Sequence, residues 1–136
     1  MDTKSQRGMA KTGFFAFEDL AIYHLAVELT ALVYKMTQPF PSAERFGLTS
    51  QIRRASSSVV LNIAEGKGRG SSKDFARFLY IARGSLLEVV SGFHVAEKLE
   101  FIQRKQTQDL YQKSRELVSK ITALIRSIDP NNTLNP

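Results

Sequence analysis

From Glu18 to Ile128 apolar residues return at intervals of three and four, and proline interrupts that span only at positions 39 and 41. This spacing places one apolar stripe on a helix, whereas a half-buried strand would alternate residue by residue. No segment alternates in that way over a useful length. The chain is therefore expected to be all-α. Its 136 residues suit one domain with a real core and leave no room for a second of ordinary size.

Four helices are expected. The first runs from Glu18 to about Thr37, with Leu20, Tyr23, Val27, Ala31 and Tyr34 as its apolar stripe. Pro39-Phe40-Pro41 ends it, because proline clashes with a continuing helix and pushes the preceding residue toward extended backbone. Thr49 is expected to cap the second helix. Along that helix Ile52, Ala55, Ser56, Val59 and Ile63 fall within about 100° of arc. It should stop by Gly66, since Gly66-Lys67-Gly68-Arg69-Gly70 is costly to hold in a helix. Ser71 with Asp74 three residues later reads as a capping box. It opens a third helix from Ser72 to about Glu100, whose stripe comprises Phe75, Phe78, Leu79, Ala82, Leu86, Val89, Val90 and Phe93. The fourth runs from about Thr107 to Ile128, before Asp129-Pro130.

Short connections between long helices point to an antiparallel up-down-up-down four-helix bundle over residues 17–129. A non-bundle helical domain is the alternative. Residues 1–16 lack a periodic pattern and are expected to form a mobile N-terminal arm, and 130–136 a frayed C-terminal tail.

Cysteine is absent, which excludes disulfides, a thiol nucleophile and Cys-ligated metal. No stretch nears the roughly 18 uninterrupted apolar residues of a membrane span, and the N-terminus is not shaped like a signal peptide. A soluble cytoplasmic protein is expected. The net charge of +6 is concentrated in residues 51–83, where seven Lys/Arg against two Asp/Glu leave +5. Arg53 and Arg54 on helix two, Lys67 and Arg69 in the loop, and Lys73, Arg77 and Arg83 on helix three are the candidate nucleic-acid-binding residues. Neutralising phosphates releases counterions, so such a surface binds with a steep salt dependence and little base preference. The competing reading is a solvated face paired with acids such as Glu65, Asp74 and Glu88. The glycine loop precedes a helix N-terminus, where free amides can hold phosphate. It fits neither the Walker pattern nor GxGxxG, which argues against nucleotide hydrolysis and leaves a flexible helix connection as the other reading.

Leu61 lies opposite the Ile52 seam, and Tyr80, Gly84, Leu87 and Val95 lie away from Phe75. These are the candidate oligomer-interface residues. Gly84 and Gly92 each cost a helix about 1 kcal/mol relative to alanine, and close approach of a second subunit would offset that loss. Scattered surface apolar residues on a monomer are the alternative. His24 and His94 belong to no metal motif, and the Ser56-Ser57-Ser58 run has no His and carboxylate constellation. No catalytic residue, metal ligand or cofactor is assigned, and an enzyme is not expected.

The ordered strings Phe17-Glu18-Asp19-Leu20, Phe46-Gly47-Leu48-Thr49-Ser50-Gln51-Ile52-Arg53-Arg54-Ala55, Asn62-Ile63-Ala64-Glu65-Gly66, Asp74-Phe75 and Gly84-Ser85-Leu86-Leu87-Glu88 closely resemble the 23S ribosomal-RNA intervening-sequence protein family. The resemblance covers about residues 17–128. It implies a bacterial, non-enzymatic four-helix bundle that assembles into a ring, commonly a pentamer, with a link to nucleic acid. Related accessory proteins of diversity-generating retroelements associate with a reverse transcriptase and with RNA through basic surfaces. Arg53, Arg54, Asn62, Glu65, Gly66 and Arg69 occupy motif positions, with no catalytic role to carry over. The expected function is thus non-catalytic binding of RNA or another nucleic acid by a homo-oligomer. The alternative is a structural adaptor or scaffold for a protein partner such as a reverse transcriptase.

Overall fold

The computed structural model describes residues 13–131. Among them are four α-helices and no strand: α1 (Ala21–Thr37), α2 (Leu48–Lys67), α3 (Ser72–Lys98) and α4 (Arg104–Ile128), with short 3-10 turns at Ala16–Asp19 and Ser42–Glu44. Most of the expected arm and tail lies outside the described residues. The last part of the arm is described: the Phe15 amide donates to the Glu18 carboxylate at 2.8 Å, and its ring stacks on Phe17.

Helix α1 touches α2 and α4, α2 touches α3, and α3 touches α4, closing a square around one core. The contacts run in opposite directions along each consecutive pair. Thr37, at the end of α1, meets Arg53, whereas Thr30, earlier on α1, meets Ser56, later on α2. Along α2 and α3, Gly66 lies against Phe78, Ser58 meets Ser85 at 2.9 Å, and Gly92 lies against Ile52. Along α3 and α4, Glu97 meets Thr107 and Arg83 meets Thr122. Leu29, Ile52, Ile63, Leu79, Phe93, Leu117 and Ile121 are among the fully buried side chains, so all four helices contribute.

The α2 seam is buried at all five expected positions, and Ser71 Oγ accepts the Asp74 amide at 3.1 Å as the capping pattern implies. Five local expectations need correction. Helix α1 begins at Ala21 because Glu18 closes its own turn and Leu20 is extended. Its buried stripe is Ile22, Ala26, Leu29, Val33 and Thr37, leaving Val27, Ala31 and Tyr34 exposed. Helix α2 begins one residue before Thr49: the Leu48 amide donates to Glu44 Oε1 at 2.9 Å, so a carboxylate from the preceding turn supplies the cap. Gly66 and Lys67 remain helical, and Gly68 is the C-cap. At the other end α4 starts at Arg104, where the Gln103 amide donates to Gln106 Oε1 at 2.9 Å.

Gly92 also departs from expectation. A Cβ there would sit 2.5 Å from Ile52 Cγ1, so its helix penalty is offset by close α2–α3 packing within one chain. Gly84 differs: a Cβ there would have nothing within 4 Å.

Candidate nucleic-acid interface

The last turn of α2, the loop at 68–71 and the first turns of α3 bring Lys67, Arg69, Lys73 and Arg77 to one end of the bundle. Three nearby cations lie on aromatic faces of α3. Lys67 Nζ is 5.6 Å from the Phe75 ring centroid, the Arg69 guanidinium 4.8 Å from that of Phe78, and the Arg83 guanidinium 4.9 Å from that of Tyr80. Such stacking holds a cation over a ring, and a guanidinium stacked by its face keeps its edge N–H groups directed at other acceptors. Arg69 Nη2 also pairs with Glu65 at 2.7 Å, and Arg77 Nη2 with Asp74 at 2.7 Å. Exposed pairs of this kind contribute about 1 kcal/mol or less, so a phosphate can displace or share them.

The seven expected cations do not gather at one place. Arg53 and Arg54 precede Lys67 by 14 and 13 residues on the same helix, about 20 Å along its axis. Arg53 is turned to α1: its Nε donates to Thr37 Oγ1 at 2.8 Å and its Nη2 to the Tyr34 carbonyl at 3.3 Å, with its face over the Tyr34 ring. Arg54 is exposed. Arg83 stands part-way up α3 and donates from Nη1 to Thr122 Oγ1 at 3.1 Å.

Of the candidate interface residues, Leu61 is 64% exposed, Leu87 53% and Val95 48%, and Gly84 is open. Tyr80 is instead half-buried and packed against the core. A helix flanked by two neighbours buries a wider arc than a single stripe, which draws Tyr80 inward. Leu61 continues into a groove of about 480 Å³ between α1 and α2 that includes Val27, Ala31 and Val60. Leu87 borders a second groove of about 420 Å³ between α3 and α4, with Val90, Tyr111 and Val118. These grooves lie on opposite sides of the square. Sequence reasoning missed the first because Val27 and Ala31 fit a core stripe equally well. It named Lys67, Arg69 and Arg83 but missed their stacking on Phe75, Phe78 and Tyr80, although basic and aromatic residues interleave visibly from Lys67 to Arg83.

Where α3 turns into α4, Glu97 accepts hydrogen bonds from Arg104 Nε at 2.9 Å, Thr107 Oγ1 at 2.8 Å and the Tyr111 hydroxyl. Burial pushes the Glu97 carboxyl up, but the three donors and the Arg104 charge together hold it below its ordinary value. Burial and the Glu97 hydrogen bond push the Tyr111 phenol up to about 12. His24 Nε2 meets the Glu18 carbonyl at 2.6 Å, and the His94 ring packs edge-on to Tyr111. Ser56 donates to the Arg53 carbonyl at 2.8 Å, and Ser58 meets Ser85, which places both in helix packing. Among the described residues no three His, Asp or Glu side chains group as metal ligands, and no helix is long and apolar enough to cross a membrane.

Fold and surface together define a helical-bundle protein with a cationic end and two apolar side grooves. The family model described as 23S rRNA-intervening sequence protein matches residues 18–123, and the chain belongs to that family. Among solved structures it is similar to a protein with unknown function from the S23 ribosomal protein family of Bacteroides thetaiotaomicron VPI-5482. The TM-score is 0.70 at 23% identity, covering 78% of this chain and 99% of that one, a likeness of fold alone. No curated protein matches the chain.

Proposed function

We propose that this chain is a cytoplasmic, non-catalytic homo-oligomer that binds the phosphate backbone of RNA or another nucleic acid. Lys67, Arg69, Lys73 and Arg77 make the contact, and Arg83 extends it. The observation carrying this reading is the convergence of four cations on one end, where Glu65 and Asp74 each hold a single guanidinium nitrogen. Arg53 and Arg54 lie outside that surface.

The decisive measurement is fluorescence anisotropy with single-stranded RNAs of unrelated sequence across a salt series. Replacing Lys67, Arg69, Lys73 and Arg77 together by Gln weakens all of them alike and reduces the log–log salt slope by about 3. Arg54→Gln leaves both unchanged. Equal affinity and slope in wild type and the fourfold variant would remove the assignment.

Self-association is supported by the two grooves, since a head-to-tail contact between different faces closes a ring when the rotation between subunits is a whole fraction of a turn. A pentamer is the family expectation for it. Leu61→Glu places a charge on the first groove and dissociates the assembly in sedimentation while helical content is retained. Sedimentation of the wild type as a monomer at tens of micromolar would exclude the ring. The second reading, an adaptor for a protein partner such as a reverse transcriptase, is favoured by the same exposed leucines. It predicts RNA binding only when that partner is present.

A further inference from the structure

At the end of α2 remote from the cationic loop, the C-terminus of α1, the Ser42–Glu44 turn and the start of α2 surround a cavity of about 240 Å³. Thr37, Gln38, Ser42, Arg45, Thr49 and Arg53 supply its polar lining. We propose that this cavity binds a phosphate group, a site independent of the loop-end surface.

Neither cation in the lining has a carboxylate within ion-pair distance among the described residues. Arg53 is held by Nε to Thr37 and Nη2 to Tyr34, and its Nη1 meets no acceptor there. The Arg45 guanidinium lies 5.0 Å from the Phe46 ring centroid, a contact with its face that leaves its edge donors free. Thr49 is only 6% exposed, yet its hydroxyl has no hydrogen-bond partner. Buried hydroxyls are nearly always satisfied, so this one is free to bond a group that enters the cavity.

Position adds to the attraction. Thr49 stands in the first turn of a 20-residue helix, whose N-terminal end carries partial positive charge. Glu44 is the acid to be weighed against an anion. Its carboxylate is committed to the Leu48 amide, and Glu44 does not line the cavity. Two guanidinium groups and the Thr49 and Ser42 hydroxyls exceed what the two oxygens of a carboxylate require. A terminal phosphate presents three oxygens and up to two charges, and arginine matches it in bidentate fashion. A recess favours such a terminal group over an internal phosphodiester. The source is either a small phosphomonoester or the terminal phosphate of a nucleic acid.

Titration of the full-length protein with inorganic phosphate, by calorimetry at constant ionic strength, tests the site. Saturable binding is expected, and Arg45→Gln lowers its affinity by about tenfold, as loss of a charge-assisted contact would. Thr49→Val, nearly the same shape, weakens phosphate binding and retains the fold. Arg54→Gln, outside the cavity, binds like wild type. The fourfold Gln variant of the loop end also retains phosphate binding, which separates this site from the proposed nucleic-acid surface. Competition by inorganic phosphate against a 5′-phosphorylated oligoribonucleotide, but not its 5′-hydroxyl counterpart, assigns a nucleic-acid terminus; equal behaviour of the two oligonucleotides assigns a small phosphomonoester. No saturable phosphate binding, or unchanged affinity in both Arg45→Gln and Thr49→Val, overturns the proposal.

Discussion

Gly92→Ala and Gly84→Ala make the same chemical change on one helix and should move stability in opposite directions. In an open helix the added methyl stabilises by about 1 kcal/mol, because glycine gives up more backbone freedom on folding. Gly84 meets that condition, with nothing near its prospective Cβ. At Gly92 the new carbon would lie 2.5 Å from Ile52 Cγ1 and 3.0 Å from its Cδ1, and Ile52 is only 1% exposed, so its side chain must shift to admit the methyl. Overpacking a closed core costs about 1–3 kcal/mol, which cancels or exceeds the propensity gain. A net loss of about 1 kcal/mol is expected, or about 4 °C in Tm for a chain of this size. Ile52→Ala removes both clashing carbons and alone costs about 2–5 kcal/mol through the cavity it leaves. Combining it with Gly92→Ala puts a methyl back into that cavity, so the double variant should be more stable than the summed single losses by about 2 kcal/mol. Urea unfolding supplies all four corners of the cycle, with Gly84→Ala run alongside at concentrations where the protein is monomeric. Strict additivity, or a Gly92→Ala variant as stable as Gly84→Ala, would refute the close α2–α3 approach.

Two further predictions concern the corner between α3 and α4. Tyr111→Phe removes one donor from the half-buried Glu97 carboxylate and should cost about 2 kcal/mol at neutral pH, the scale of a hydrogen bond to a charged group. Because the folded phenol titrates near 12, above its unfolded value, its stabilisation is complete below about pH 10 and disappears as pH rises through 12. Unfolding curves of wild type and variant should therefore converge over that alkaline window, and a constant gap would count against the bond. The folded Glu97 carboxyl is shifted the other way, so its contribution is present above the ordinary carboxylate range and is lost as pH falls through the depressed value. Glu100 sits at φ 64°, in the left-handed region, while the Phe101 amide reaches back to the Ala96 carbonyl at 2.9 Å and the Glu100 amide to Glu97 at 3.0 Å. That geometry favours glycine, so Glu100→Gly should raise stability by about 0.5–1 kcal/mol in thermal unfolding; a loss would contradict it.

Features set by neighbours along the chain are legible in the sequence, and features set by a partner helix are not. The Ile52-to-Ile63 seam follows from helical spacing, and the Ser71 cap from a side chain and an amide three residues apart. Helix α1 carries two apolar stripes with the same spacing, and only its docking against α2 and α4 selects Ile22, Leu29 and Val33 for the core. The rejected positions Val27 and Ala31 become a groove wall, so the same ambiguity that hides the core face also hides a candidate interface. Gly84 and Gly92 stand about 80° apart around α3, too little for periodicity to assign one to Ile52 and the other to solvent. The separation of Arg53 from Lys67 follows from length alone, since 14 residues of unbroken helix cannot bring two cations to one end. The cavity at Arg45, Thr49 and Arg53 has no such sign, because α1, a turn and α2 each contribute part of it and none bears a phosphate motif. A bundle can therefore gather cationic side chains at both ends of one helix: charge density in the chain reveals the loop end, while the other cluster forms only when α1 folds back beside α2.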